Sequence, residues 1–420
     1  MLKLAYRQFA AENGEPVAQV YDTIRAIGRE AWNACYRGQV EDYDCLLAIE
    51  DAGIGEFDWR YITIVENGRI SAAMPAFLCP YPLDTTLEEG LPRRLIRRVR
   101  RHVSGFLVLR LACLGSPCTE NGVIGFHAEV PEKRREALLG ELLDAFESLA
   151  AQEGCALLGI KDIPAPVALE FGAVFSERRY AAIGGLPSAW LDIDFQTIDE
   201  YMARLSAGTR KDMRRKMKSF DAVRVEIRTD VGDVLARIMA LYHDTRNRSE
   251  WQFEELTPAY FEEILTHMRD RSFCVLYYVE DELLAANLIV HDDRVAIDKF
   301  FCMDGEQGRP YNLYFLSWFT NLRYCLDNGL SRYQSGQAYY ENKVRLGSQL
   351  TANTMFFRHR NPVLQTLLRL VSPLFPRSRP SDDVNAPDMA CRAGPQHAVS
   401  DFHEARRDAV ERCRGSDPAA

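Results

Sequence analysis

Between Asp304 and Gly336 the chain reads DGEQGRPYNLYFLSWFTNLRYCLDNGLSRYQSG. Two glycines, Gln307, Arg309, Pro310 and Asn312 lead into a long apolar and aromatic run with helical spacing. That order can hold an anion. The first N–H groups of a helix lack internal partners and carry about half a positive charge, and glycines let a backbone come close to a phosphate. Gln307, Gly308, Arg309 and Asn312 are therefore candidate phosphate-binding residues. The competing reading is an ordinary strand-to-helix turn in which Gly305 and Gly308 only shape the backbone.

Two basic segments offer further anion sites. From Arg204 to Lys218 seven basic residues face one acid, Asp212, with Leu205, Met213 and Met217 forming a narrow apolar stripe. Arg210 and Arg214 on it suit phosphate oxygens, because a guanidinium is a planar fork; a solvated charged face has equal standing. The run PRRLIRRVRRHV places six Arg between Arg93 and Arg101 and reads as an exposed basic helix or a surface for anionic lipid or RNA. The stretch HDTRNRSEWQF puts Arg246, Arg248, Glu250 and Trp251 on a polar, aromatic loop able to line a substrate pocket.

Other chemistry is excluded. No Ser-His-Asp or Cys-His arrangement and no Walker or dinucleotide glycine pattern occurs. The 11 Cys form no CxxC pair and the eight His are isolated, which argues against a metal site and for reduced thiols in a cytoplasmic setting. A net charge of −9 lacks the electrostatic footprint of a DNA-binding chain. No apolar run reaches membrane-spanning length.

At 420 residues two domains are expected. VYDTIRAIGREAWNACYR has helical spacing. YITIVENGRISAAMPAFL reads as a hairpin turning at Asn67-Gly68. The strands GFLVLRLACLG and NGVIGFHAEV, a helix opened by Pro131 and stopped at Gly154, and the strand CALLGIKDI follow. The second half repeats the plan: a hairpin at Glu280-Asp281-Glu282, the strand VAIDKFFCM, a helix after Pro310 stopped at Gly329, and the strand LSRYQSG. Such repetition suggests a duplicated α/β unit. The tail from residue 375 to 420, rich in Pro, Ser, Asp and Arg, reads as disordered.

A strand feeding a loop and helix after antiparallel strands resembles the GNAT acyltransferase fold. More narrowly, WLDIDFQTIDEYMARLSAGTRKDMRRKMKSF and LDNGLSRYQSGQAYYENKVRLG look like the opening and closing segments of the catalytic half of FemAB-like acyltransferases. REAWNACY, LLAIEDAG and FDWRYITIVENGRISAAMPAFL resemble the start of that family. The resemblance implies an α+β fold of two tandem GNAT-like domains, each a mixed, mostly antiparallel sheet flanked by helices. They would span residues 1–188, degenerate, and 189–374, catalytic.

What the resemblance implies for the site is as follows. The loop at Gln307, with Lys343 at the family's basic position, would bind the donor together with Arg210 and Arg214. The strand carrying Asp298 would polarise the acyl carbonyl, with Asp298 as base or amine-binding group and Tyr339 or Tyr340 as acid. The QGRPYN loop lacks the later glycines of the usual CoA-binding pattern. The expected activity is N-acylation of an amino acid, peptide or amino-sugar amine by direct transfer. The donor would be an acyl-CoA or acyl carrier protein thioester as co-substrate, with no tightly bound cofactor. One alternative is an aminoacyl-tRNA-dependent transferase; another is a non-catalytic module binding an envelope precursor. Partners would be the amine acceptor, a carrier protein or tRNA, with no DNA, no transmembrane segment and room for peripheral membrane contact.

Overall fold

The computed structural model describes residues 6–9, 16–55, 57–82, 108–249 and 253–372. The basic run Arg93–Arg101, the tail 375–420, and Glu250 and Trp251 lie outside the described residues. The strands of the first half are β1 (Tyr6–Phe9), β2 (Val17–Tyr21), β3 (Asp58–Glu66), β4 (Arg69–Pro82), β5 (Val108–Leu114), β6 (Gly125–Phe126), β7 (Leu157–Pro164), β8 (Ala181–Gly184) and β9 (Ser188–Asp192). Those of the second are β10 (Val223–Arg228), β11 (Ser272–Val279), β12 (Glu282–His291), β13 (Val295–Met303), β14 (Arg332–Gln334), β15 (Gln349–Thr351) and β16 (Asn353–His359).

They build two sheets of matching design. One runs β1-β2-β3-β4-β5-β7-β16-β8, with β6 beside β4; the other runs β10-β11-β12-β13-β14-β9-β15. In each, one parallel pair sits amid antiparallel neighbours: β5 with β7 in the first, β13 with β14 in the second. A helix joins each parallel pair, Glu132–Gln152 in the first unit and Leu313–Asp327 in the second. Both helices stop at a left-handed glycine, Gly154 and Gly329. The following N–H groups, of Cys155 and Leu330, bond back to Ala150 and Cys325, closing both ends in the same glycine-capped motif. This is the duplicated, mostly antiparallel plan that the sequence predicts.

Sequential strands part company at one place in each unit. β8 stays in the first sheet while β9 joins the second beside β14; β15 stays in the second while β16 joins the first beside β7. β9 opens the second unit, and one strand, β16, returns to the first sheet. The expected second domain, 189–374, is corrected accordingly: β16 and the helix Pro362–Val371 behind it belong in space to the first sheet. One local expectation also changes. The helical spacing at VYDTIRAIGREAWNACYR resolves into β2, a short 3-10 turn (Ile24–Ala26) and the helix Arg29–Asn33, because Gly28 at φ 87° cannot continue a helix.

Each sheet packs one face on its own crossover helix. Leu138, Leu142 and Phe146 cover Ile62 and Leu114; Leu316, Phe319 and Leu322 cover Val275 and Ile289. The other faces share one apolar core, where Trp32, Leu46 and Phe77 of the first unit join Leu241, Phe261 and Leu288 of the second. The fully buried aromatics Trp32, Phe77 and Phe261 in this core each contribute about 3–5 kcal/mol against truncation to alanine. The units are therefore fixed to each other, and polar residues set in their seam are held in place.

Candidate active site

The parallel pairing of β13 with β14 ends at Ile297 opposite Gln334. Beyond it β13 continues and β14 does not, so the two strands part just where Asp298 stands. On the other edge, β12 pairs Ile289 with Asp298 but Leu288 with Phe300. Lys299 is thereby a bulged residue, and bulges re-aim the side chains around them. Asp298 faces the crossover helix, and Lys299 faces the first unit.

The Asp298 carboxylate is built into a polar network. Its Oδ2 accepts from Asn287 Nδ2 (3.3 Å), Asn321 Nδ2 (3.2 Å) and the Tyr333 hydroxyl (3.2 Å). Tyr277 donates to Asn287 Oδ1 at 3.0 Å and so orients that amide. Oδ1 is buried without a hydrogen-bond partner. Burial pushes the Asp298 pKa up to about 6, against the pull of Asn287, Lys343, Tyr333 and Asn321. A half-satisfied carboxylate near its titration point is a poised base.

Three groups converge on Gly336, one turn past β14. A Cβ placed there would lie 3.6 Å from the Asp298 carbonyl oxygen, 3.9 Å from Glu120 Oε1 and 4.0 Å from Lys343 Nζ. Lys343 is buried and donates to the Gly336 carbonyl at 2.9 Å. Burial draws its pKa down to about 8, opposed by Glu120 and Asp298. Glu120 comes from the first unit. Burial pushes its pKa up to about 7, and its Oε2 has no hydrogen-bond partner. Its loop is pinned on both sides: Gln337 Nε2 donates to the Glu120 carbonyl (3.2 Å), and Gly122 N donates to the Asp162 carbonyl (2.9 Å). No side chain fits at Gly122, since a Cβ would meet the Lys161 carbonyl at 2.0 Å.

Around this centre further charges cross the seam. Lys299 Nζ pairs with Glu41 and donates to the Cys118 carbonyl at 2.7 Å. Burial alone would lower it, but Glu41 and its neighbours hold its pKa well above the usual lysine range. Lys161 Nζ pairs with Asp162 (2.6 Å) and donates to the Thr119 carbonyl (2.7 Å).

The other expected site residues fall elsewhere. Tyr339, left-handed at φ 54°, is half exposed, with its ring 6.0 Å from that of Tyr314. Tyr340 donates its hydroxyl to the Pro187 carbonyl (2.9 Å) and ties the inter-unit linker. In the Gln307 loop the N–H groups of Glu306 and Gln307 already bond to Asp304 Oδ1 (3.0 and 2.8 Å), and Gly305 N bonds to Asp244. The chain's own carboxylates thus take the N–H groups of Gly305, Glu306 and Gln307 that a phosphate on this loop would need. Gln307 and Arg309 are exposed beside it, and Asn312 donates to Ser219 Oγ (3.0 Å). Gly308 packs against the Asp304 carbonyl, 2.8 Å from a would-be Cβ.

Arg210 donates to the carbonyls of Met202, Ala203 and Leu205 and so caps the helix Ile198–Arg204. It is a structural group, because its guanidinium is turned inward; Arg214 is exposed. Arg246 and Arg248 lie at the end of the helix Leu235–Asn247 rather than on a loop. Arg246 reaches the Glu254 carbonyl (3.4 Å). Arg248 donates to the Met303 carbonyl (2.8 Å) and Asp244 (2.9 Å). Met303 lies five residues along β13 from Asp298, roughly 16 Å away, so Arg248 does not line the Asp298 centre. Arg246 instead stands beside Glu254, whose pKa burial pushes up and Lys161, Arg246 and Lys299 of the seam draw back.

Of the residues at this centre, sequence reasoning singled out Asp298 and Lys343 and did not single out Glu120, Lys299 or Glu41. The loop SPCTENG gave a weak signal, a lone acid between a cysteine and a turn; only the docking of the two units gives it a role.

No described helix is long and apolar enough to cross a membrane. Among solved structures the chain is similar to FemX, at 13% identity and a TM-score of 0.52, over 77% of this chain and 93% of that one, which shows a shared fold. It is also matched by L-PGS from Bacillus licheniformis (12% identity, TM-score 0.46, 79% and 93% covered). A tandem GNAT protein from the clavulanic acid biosynthesis pathway matches as well (12%, 0.44, 76% and 87%). No curated protein sequence matches the chain significantly. The sequence pattern of one family, described as peptidoglycan biosynthesis/recognition, covers residues 130–371, more than half of the chain, so the protein belongs to the FemAB-like family.

Proposed function

We propose that the protein is a transferase that joins an activated carboxyl group to an amine by direct transfer where β13 and β14 part. The observation that carries this reading is the Asp298 carboxylate, buried at that parting with Oδ1 unpartnered and its pKa near 6. Asp298 takes the proton of the incoming amine. The amine nitrogen bonds to the acyl carbon, and the main-chain N–H at the Lys299 bulge stabilises the oxyanion. The bond from carbon to the leaving oxygen then breaks, and Lys343 supplies that oxygen's proton. Holding both reactants in this geometry can lower the barrier by roughly 7–11 kcal/mol.

Of the donors considered, an aminoacyl-tRNA fits best. Asp304 fills the loop that would grip the diphosphate of CoA. The helix Ala207–Met217 packs beside the Leu313–Asp327 helix, with Lys216 Nζ 3.5 Å over the Phe315 ring, and exposes Lys211, Arg214 and Arg215 to a polyanion. Family membership favours a peptidoglycan precursor as the amine acceptor.

The test is to incubate the protein with tRNA charged with radiolabelled amino acids and a UDP-linked peptidoglycan precursor. Label is expected to pass into an alkali-stable amide, and Asp298→Asn to abolish the transfer. Consumption of acyl-CoA in place of charged tRNA would overturn the donor. Binding of the precursor with no turnover of any donor would reduce the protein to a binding module.

A further inference from the structure

The helix Pro362–Val371 is built the wrong way round for a helix of a folded domain. Val363, Leu364, Leu367 and Leu370 are 73%, 46%, 55% and 71% exposed. At 100° per residue they fall within about 120° of one another, one continuous apolar stripe. The polar side faces inward. Gln365 is buried, accepts from His359 N (2.6 Å) and donates to the Arg179 carbonyl (2.5 Å); Ser372 is buried on the same side. The helix is capped, with Asn361 accepting from Val363 N (2.9 Å) and Leu364 N (3.3 Å). Its orientation is thus fixed by hydrogen bonds that leave the stripe outward.

The charge around the stripe names its occupant. The chain as a whole carries −9, yet no acid occurs between Glu341 and Asp382. Over that span the cations are Lys343, Arg345, Arg358, Arg360, Arg369, Arg377 and Arg379. Lys343 belongs to the candidate site, Arg345 pairs with Asp212 and Arg358 with Glu147. Arg360 and Arg369 are exposed at the two ends of the helix. Arg369 points to the side away from the stripe, so Arg360 at its N-terminal end is the exposed cation nearest to it among the described residues. An exposed apolar stripe with an arginine at its end, in an acid-free stretch of an acidic protein, matches an interface of apolar chains under anionic headgroups.

We infer that this helix docks the protein on an anionic lipid bilayer, lying in the headgroup plane with Val363, Leu364, Leu367 and Leu370 turned into the acyl boundary. The inference does not depend on the reaction proposed above. Binding is expected to weaken with salt, because arginine contacts to exposed headgroups are screened.

The experiment is co-sedimentation of the full chain with vesicles of phosphatidylcholine containing phosphatidylglycerol, and with vesicles of phosphatidylcholine alone. The protein is expected to bind the anionic vesicles and to leave the neutral ones. Leu367→Glu with Leu370→Glu should weaken binding by at least about tenfold while the melting temperature stays unchanged. Four results would overturn the assignment. The wild type fails to bind anionic vesicles. The double variant binds as the wild type does. The double variant melts at lower temperature, which would mean that the chain itself covers the stripe. Or a dimer in solution dissociates in the double variant, which would make a second copy the occupant.

Discussion

Glu120 of the first unit and Lys343 of the second stand on either side of Gly336, 3.9 and 4.0 Å from the position of its missing Cβ. Each shifts the other's proton affinity: Lys343 counters the rise at Glu120, and Glu120 counters the fall at Lys343. A titrating pair made by two different domains means that the seam, not either sheet alone, sets the protonation of the candidate site.

The transfer rate should follow two of these groups. Asp298 works as a base only when ionised and Lys343 as a donor only when charged, so kcat/KM should rise through about pH 6 and fall through about pH 8. Asp298→Asn, which keeps the volume and the hydrogen-bonded surroundings, should lower the rate by about 10²–10⁴ and remove the acidic limb. A variant with the wild-type limb and rate would exclude Asp298 as the base.

Glu120 makes a stability prediction whose sign follows from burial. Its folded pKa of about 7 exceeds its ordinary 4.5, so the folded state holds more protons between those values. The stabilising effect of the protonated form is lost as pH rises through that window, and above it the ionised carboxylate costs at most about 3 kcal/mol, a figure that already includes the attraction of Lys343. Glu120→Gln should therefore unfold at higher denaturant than wild type at pH 8 and match it at pH 4. Equal midpoints at pH 8 would show that Glu120 is not strained when ionised.

The Lys299–Glu41 pair should behave as a buried bridge between the units. Lys299→Met leaves Glu41 charged and the Cys118 carbonyl without its donor, a loss of about 3–5 kcal/mol in denaturant melts. Adding Glu41→Leu should recover most of it, because the uncompensated charge is removed. If the double variant is as unstable as the single one, the cost lies in packing and not in charge.

The self-filled loop can be tested against a diphosphate grip. Asp304→Ala releases the N–H groups of Glu306 and Gln307 and should destabilise the protein by about 1–3 kcal/mol. Gln307→Ala and Arg309→Ala should each change the donor KM by less than about twofold, because neither holds the donor. A tenfold rise in KM for Gln307→Ala would restore the loop as a phosphate site.

Much of the architecture was legible before any coordinates. The hairpin at Asn67-Gly68 turns where positive φ is needed, at 52° and 75°. The two crossover helices stop at Gly154 and Gly329 as their sequence signals require. Asp298 and Lys343 were already candidates in the sequence, one on a strand leading to a loop and helix, the other in a segment of family likeness. The loop at Gln307 misled because an anion-binding backbone and a backbone that binds its own aspartate have the same local sequence. Arg210 misled for a related reason: a cation that caps a neighbouring helix and one that awaits a phosphate cannot be told apart by charge pattern.

Local sequence thus determined the elements, since periodicity, turn chemistry and helix stops act within a few residues. Tertiary structure alone decided the return of β16 to the first sheet, the bulge that turns Lys299 toward Glu41, and the placing of Glu120 beside Lys343. Those depend on contacts between residues more than a hundred positions apart, and on burial, which sets whether a carboxylate or an ammonium keeps its charge. Burial is a property of the assembled seam, and no stretch of this chain carries it by itself.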